Sequence, residues 1–486
     1  MNKPTRSPSL YWHDYETFGV DPRRDRPAQF AGIRTDLDLN IIGEPLCLYC
    51  KPADDYLPHP EACLVTGISP QQALEQGVPE AEFIARIHDE FSRPQTCVVG
   101  YNNLRFDDEV TRFTLYRNFF DAYAREWQNG NSRWDLIDVV RLTHALRPEG
   151  IQWPKRDDGR PSFRLDQLTV ANGIAHESAH DALSDVHATI AIARLIRQHQ
   201  PRLYAYLFEH RGKAAVGSLL NVSAPVPVLH VSSMYPADRG CIALVAALAM
   251  HPVNRNETIV YDLCVDPGPF LDLGAEQLRA RLFTPRQELK EGEERLPVKT
   301  VHINKSPVVV PANTLNAEAA EKWRIDPSAA KENLQTILAR PDFVSNLQAA
   351  FSAREFEPET DPDFMLYAGG FFSNDDRRRM DQIRAARPEE LSQMAFHFDD
   401  ARLPEMLFRY RARNYPHTLD ADERGLWERF RRQRLVESSH GAGLTIEQCR
   451  ARIAELRATE ELGDEKRALL DALNEYADAL AGSLGL

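Results

Sequence analysis

Tyr11-Trp12-His13-Asp14-Tyr15-Glu16-Thr17-Phe18-Gly19 is the stretch that decides the fold. From Leu10 to Thr17 the residues alternate as they do in a half-buried strand. Alternate strand residues share a face, so Asp14 and Glu16 point one way and Tyr15 the other. Two carboxylates forced together repel, and a divalent cation between them removes the conflict. Taken alone, D-x-E is a frequent pattern, and a solvated strand face is its plainer reading.

Two more acidic segments follow in order. The first is Asn102-Asn103-Leu104-Arg105-Phe106-Asp107-Asp108-Glu109. Cys97-Val98-Val99-Gly100 reads as a short buried strand leading into it, Phe106 can anchor the turn in the core, and a helix begins at Asp107. Spacing alone leaves Asp108 and Glu109 as alternatives to Asp107, because consecutive helical residues point in different directions. The second segment is His180-Asp181-Ala182-Leu183-Ser184-Asp185. Asp181 can cap a helix there, and Asp185 lies one turn inside, close to the apolar run Ile190 to Ile196. An acid on the buried side of an apolar helix is costly unless it is paired or metal-bound. A histidine at a helix start is more often structural, but His180 stands where its imidazole can reach a water held beside Asp185.

Four carboxylates and one histidine suit phosphodiester hydrolysis by two divalent ions roughly 3.5–4 Å apart. Hard oxygen ligands favour Mg²⁺, with Mn²⁺ as a substitute, over zinc. Asp14 would bridge both ions, Glu16 and Asp185 would complete the first, and Asp107 would support the second. His180, with an ordinary pKa of about 6.5, can take a proton from water near neutral pH.

The 486 residues are too many for one ordinary core. A hydrophobic content of 43% with 27% charged residues is that of a soluble globular chain. Nothing before Leu10 resembles the apolar region of a signal peptide. The longest apolar run, Cys241 to Met250, is too short to span a bilayer, so a cytoplasmic protein is expected. The net charge of −14 argues against broad nonspecific binding of nucleic acid and leaves room for a local basic groove. Seven scattered cysteines make no disulfide framework, and Cys47-Leu48-Tyr49-Cys50 has no second ligand pair, so both cysteines read as strand residues.

The first 200 residues read as alternating strands and helices, an α/β layout with a mixed sheet, in which Ser69-Pro70 is a helix start with Ser as N-cap and Pro in the first turn. Residues 201–354 are richer in short strands broken by Pro, Gly and Asn, with helices near Ala317 to Trp323 and Ala329 to Arg340. Glu355 to Pro362, acidic and Pro-bearing, is the expected linker. Residues 355–486 are mostly helical. There Thr445-Ile446-Glu447-Gln448 fits a capping box, and two apolar stripes suggest a helical hairpin.

The order D-x-E, N-x-x-F-D, H-x-x-x-x-D resembles the three motifs of the DEDD exonuclease superfamily, in the subgroup with histidine as base. His13 to Gly19, Gly100 to Arg112 and Asn131-Ser132-Arg133-Trp134-Asp135 are similar to the bacterial exonuclease I family. Val301-His302-Ile303-Asn304-Lys305 resembles its SH3-like domain, and Gly370-Phe371-Phe372-Ser373 and Phe408 to Asn414 its helical extension. The resemblance covers essentially the whole chain. It implies a ribonuclease H-like exonuclease domain, a small SH3-like β-rich domain and a helical C-terminal domain. It also implies 3′ to 5′ digestion of single-stranded DNA to mononucleotides, in DNA repair and recombination, by a monomer. The family binds the acidic tail of single-stranded DNA-binding protein, and Arg147 and Tyr206 are the matching positions. Phe18, Arg112 and Arg164 are the candidates for DNA contact, by stacking or by charge. The rival readings are a 3′ to 5′ ribonuclease or proofreading exonuclease, and an inactive nuclease-like scaffold.

Overall fold

The structure is a computed structural model that describes residues 7–175, 181–352, 358–437, 443–459 and 461–486. It separates into two units, each built from discontinuous segments. One holds Met1–Ser132, His176–His187 and Pro358–Leu486, and the other holds Arg133–Ala175 and Ala188–Glu357. In space, therefore, the helical C-terminal segment shares a unit with the first strands of the chain.

The first unit is organised around β1 (Ser9–Thr17). It pairs antiparallel with β2 (Pro27–Thr35), setting Asp14 opposite Ala31 and Glu16 opposite Gln29. On its other side it runs parallel to β4 (Thr96–Gly100), and β3 (Leu46–Tyr49) extends the sheet beyond β2. The mixed sheet expected from the sequence is thus present. Cys47 lies in β3 and Cys50 just after it, and both are free thiols.

The pleat of β1 sorts its side chains. Tyr11 and Tyr15 enter a core with Phe30, Phe83, Ile87, Phe91, Val98 and Phe113. That core draws on α3 (Glu80–Phe91) and α4 (Asp107–Arg117), while α1 (Pro60–Thr66) and α2 (Pro70–Gln76) give Cys63 and Ala73 to a second core. As expected from Ser69-Pro70, the Ser69 hydroxyl caps α2 by accepting the Gln72 amide (3.1 Å), with proline in the first turn. Phe106 packs against the same core just before α4.

The C-terminal helices complete this unit. Met380, Ile383, Leu403, Met406 and Tyr410 join the first core. The helices Ile446–Thr459 and Asp464–Ser483 form the expected hairpin, with Ile446, Cys449, Ile453, Leu470, Leu473 and Leu480 buried in a second core beside Phe18, Tyr56 and Cys63. Thr445 and Gln448 make the reciprocal capping box (3.0 and 3.1 Å).

The expected linker needs correcting at its C-terminal end. Of Glu355 to Pro362, residues 355–357 lie outside the described residues, but Asp361 and Pro362 are buried. Asp361 and Asp363 sit among Arg409, Arg413 and Arg434, with Asp55 of the N-terminal segment on Arg413 (2.8 Å) and Arg434 (3.5 Å). Acid-rich sequence suggested a solvated connection. Its aspartates instead pair with arginines from distant positions, which local composition does not reveal.

The chain next runs through β5 (Ser132–Asp135), α5 (Leu136–Leu146), α6 (Leu165–Ala171), α7 (Ala182–His199) and α8 (Pro201–Glu209). The second unit contains a separate five-stranded antiparallel sheet in the order β10-β6-β7-β8-β9. Its strands are β6 (Val228–Val231), β7 (Ile242–Met250), β8 (Glu257–Asp262), β9 (Val298–His302) and β10 (Val309–Pro311). Helices Ala317–Trp323 and Pro327–Leu338 match the expected pair, and a further helix, Pro341–Ala350, follows directly.

Candidate active site

Asp14 and Glu16 project from the face of β1 opposite Tyr15, near the end of the strand. Asp185 lies in the first turn of α7, where the Asp181 carboxylate accepts the Ser184 amide (3.2 Å) as the expected cap. Each of Asp14, Glu16 and Asp185 offers a carboxylate oxygen, and the three oxygens lie within 4.8 Å of one another. This is the one group of His, Cys, Asp or Glu ligands in metal-binding proximity among the described residues, and it contains no sulfur or imidazole.

The run Asp107-Asp108-Glu109 resolves by partner. The Tyr15 amide donates to Asp107 Oδ1 (3.1 Å), which ties this carboxylate to the strand between Asp14 and Glu16. Asp108 turns away to a buried ion pair with Arg125 (2.9 Å). Glu109 pairs with Arg112 (2.7 Å) and accepts the Tyr367 hydroxyl. Asp107 is therefore the member of the run that joins the acidic group.

Electrostatics mark the same cluster. Burial, then repulsion from Asp107, Glu16 and Asp185, pushes the Asp14 carboxyl well above the carboxylate range. Glu16 is pushed up to about 9 by burial and by Asp185 and Asp107. Acids packed this way without counter-charge are unfavourable, and a hard divalent cation is the partner that all-oxygen donors fit. His13, in the same motif, is no candidate base: it faces the core against Phe91 and Phe30, and burial lowers its pKa to about 3. His180 lies outside the described residues.

Gln29 went unnoticed in the sequence. Buried on β2 opposite Glu16, it donates to Asp181 (3.4 Å) and accepts the Ala182 amide (3.4 Å), holding the start of α7 beside the sheet. A glutamine set between Ala28 and the apolar run Phe30-Ala31-Gly32-Ile33 was the available signal.

The expected DNA contacts fare differently. Phe18 is a correction: its ring is fully buried in the second core and has no face for a base to stack on. Arg112 is also corrected. Its guanidinium is buried and held by Glu126 (2.7 and 2.9 Å) and Glu109, so it is an internal ion pair and not a free phosphate contact. Arg164 is exposed and pairs with Asp166 (2.9 Å). Arg147, just past α5, donates to the Leu146 and Thr314 carbonyls. Tyr206, on the neighbouring α8, stacks on His210 with ring centroids 3.9 Å apart.

Known families match the chain along its length. The Exonuclease family model matches residues 11–193, the Exonuclease I SH3-like domain 211–353 and the Exonuclease I C-terminal domain 360–480. Exodeoxyribonuclease I of Escherichia coli is 48% identical over 99% of this chain and 100% of its own length. The chain belongs to the exonuclease I family. Its activity is that of an exodeoxyribonuclease, and the family is metal-dependent. The solved exonuclease I of Methylocaldum szegediense is 54% identical, with a TM-score of 0.93 covering 97% of this chain and 99% of that one. E. coli exonuclease I in complex with a dA16 oligonucleotide is 48% identical, with a TM-score of 0.94 over 98% and 100%. The E. coli enzyme has also been solved in a zinc-bound complex with single-stranded DNA, and another solved structure, 47% identical, is an ExoI/SSB-Ct complex. No helix among the described residues is long and apolar enough to cross a membrane.

Proposed function

We propose that this chain removes mononucleotides from the 3′ end of single-stranded DNA, using two Mg²⁺ ions held by Asp14, Glu16, Asp107 and Asp185. The observation that carries the reading is the convergence of Asp14, Glu16 and Asp185 to within 4.8 Å, with Asp107 tied to the same strand. The all-oxygen donor set favours Mg²⁺, or Mn²⁺ in its place, over the zinc found in one E. coli structure. When bound, such ions supply a nucleophile at neutral pH and counter the charge that gathers on the phosphate. The chain's own part is to place these carboxylates, with His180 as the general base that accepts the proton of the attacking water. Arg164, exposed beside its partner Asp166, is suited to a backbone phosphate.

The complex of E. coli exonuclease I with an oligonucleotide and the ExoI/SSB-Ct complex support single-stranded DNA and the acidic tail of single-stranded DNA-binding protein as partners here. Arg147 and Tyr206 are the proposed tail contacts. We assign exonuclease, SH3-like and helical domains to residues 1–200, 201–354 and 355–486, in a monomer working in cytoplasmic DNA repair and recombination.

End-labelled oligonucleotides test this. With Mg²⁺, 3′-labelled single-stranded DNA should release labelled mononucleotide at once, while a 5′ label stays on long products until late. Duplex and matched RNA should be degraded far more slowly. Faster loss of RNA would favour the ribonuclease reading, and early release of a 5′ label would overturn the polarity.

A further inference from the structure

Asp107 begins α4, where Phe106, at the N-cap position, has φ −124° and ψ −71° and provides no side-chain cap. The Tyr15 amide holds one oxygen of Asp107 (3.1 Å), and contacts further along α4 hold the helix that carries it. The amide of Asp108 donates to the Asn103 carbonyl (2.9 Å), and its carboxylate accepts from Arg125 Nη2 (2.9 Å) with both side chains fully buried. Arg125 stands in the short turn Ala124–Glu126, its guanidinium 4.9 Å over the Phe91 ring, and its Nε and Nη1 find no hydrogen-bond partner among the described residues. A buried arginine with incomplete hydrogen bonds is a poor device for stability.

The next residue of the turn repeats the contact with opposite sign. Glu126 takes Arg112 in two hydrogen bonds (2.7 and 2.9 Å). Asp108 and Arg112 are four apart, on one face of α4, so Arg125 and Glu126 clamp consecutive turns of that face. Thr111 completes the link, donating to the Asp107 carbonyl (2.8 Å) and lying 3.0 Å from the Tyr15 hydroxyl. The clamp fixes the rotation of α4 about its axis, and that rotation decides where Asp107 points.

We propose that the Asp108–Arg125 pair, backed by Arg112–Glu126, is a positioning element that aims the Asp107 carboxylate into the acidic group. The proposal rests on the reading of that group as the metal-dependent centre. Asp108 and Arg125 act through Asp107 and touch neither strand nor metal.

The test compares Asp108→Asn and Arg125→Met with the double variant in the full chain. Thermal unfolding, steady-state kinetics on single-stranded DNA and calorimetric Mn²⁺ binding are measured for each. Asp108→Asn should lower kcat by roughly tenfold or more and weaken Mn²⁺ binding severalfold, with KM for the strand nearly unchanged. The double variant leaves no unpaired buried charge, so it should recover stability while kcat and Mn²⁺ affinity stay low. It also decides the matter if a single variant does not fold. Wild-type kcat and Mn²⁺ affinity in Asp108→Asn, or their recovery along with stability in the double variant, would overturn the proposal. Absence of strand hydrolysis by the unsubstituted protein would instead overturn the functional reading, and Mn²⁺ affinity would still report on the clamp.

Discussion

The Tyr15 amide donates to the Asp107 carboxylate across 3.1 Å, joining β1, which carries Asp14 and Glu16, to the first turn of α4. One backbone hydrogen bond thus brings together two acidic motifs that stand 92 residues apart. It also uses one oxygen of Asp107 for alignment.

Metal uptake should release protons. Glu16, pushed up to about 9, and Asp14, also raised, hold their protons to higher pH than ordinary carboxyls in the metal-free protein, and a bound cation needs them ionised. Mg²⁺ or Mn²⁺ titrations in buffers of different ionisation enthalpy should show release of about one proton or more at pH 7. Affinity should rise with pH up to about 9. The metal-free protein should lose stability as pH rises above the ordinary carboxylate range, because the unfolded chain ionises these groups first. Proton-neutral binding would contradict the clustering.

The arginine–aspartate cluster governs acid stability. Burial alone would raise Asp55, Asp363 and Glu80. Arg413 and Arg434 hold Asp55 down, Arg413 and Arg409 hold Asp363 down, and Arg117 and Arg26 keep Glu80 at about 2. Their folded values lie below the unfolded ones, so their stabilisation is present above the usual carboxylate range and is lost as pH falls toward about 2. Arg413→Met removes the arginine shared by Asp55 and Asp363 and should cost about 3–5 kcal/mol in denaturant unfolding, with acid unfolding moved to higher pH.

Gly19 closes the turn after the D-x-E strand. A Cβ there would meet the Asp25 carboxylate at 2.1 Å. That carboxylate cannot swing aside freely, since the Tyr56 hydroxyl (2.8 Å) and the Asp21 amide (2.8 Å) hold it. Gly19→Ala should cost about 1–3 kcal/mol in stability and reduce hydrolysis by displacing Glu16. Thermal unfolding and kcat measured together would check this, and an unchanged melting temperature would contradict it.

Arg147→Ala should weaken binding of an acidic C-terminal peptide by roughly tenfold, or about 1.4 kcal/mol, in fluorescence anisotropy. Hydrolysis of naked single-stranded DNA should not change. Equal peptide affinity in the variant would remove Arg147 from the tail site.

Much of the site was legible because it obeys short-range rules. The alternation of β1 put Asp14 and Glu16 on one face, the 181–185 segment announced its own cap, and Ser69-Pro70 and Thr445 to Gln448 marked helix starts that the structure bears out. What could not be read depends on partners distant in sequence. Choosing among Asp107, Asp108 and Glu109 required Tyr15, Arg125 and Arg112. Asp361 fell within the expected linker, and its pairing with Arg409 and Arg434 joins positions far apart in sequence. Phe18 stands beside the acidic motif in sequence, and its burial with Tyr56 and Cys63 depends on distant residues.

The most direct measurement is the hydrolysis of 3′-labelled single-stranded DNA by Asp14→Asn with saturating Mg²⁺, set beside its strand affinity and unfolding curve. The substitution keeps shape and removes one charge from the acidic group. Mononucleotide release should fall by about a thousandfold or more while folding and strand binding persist. Release at the unsubstituted rate would contradict the assignment of Asp14, Glu16, Asp107 and Asp185 as the metal-binding centre.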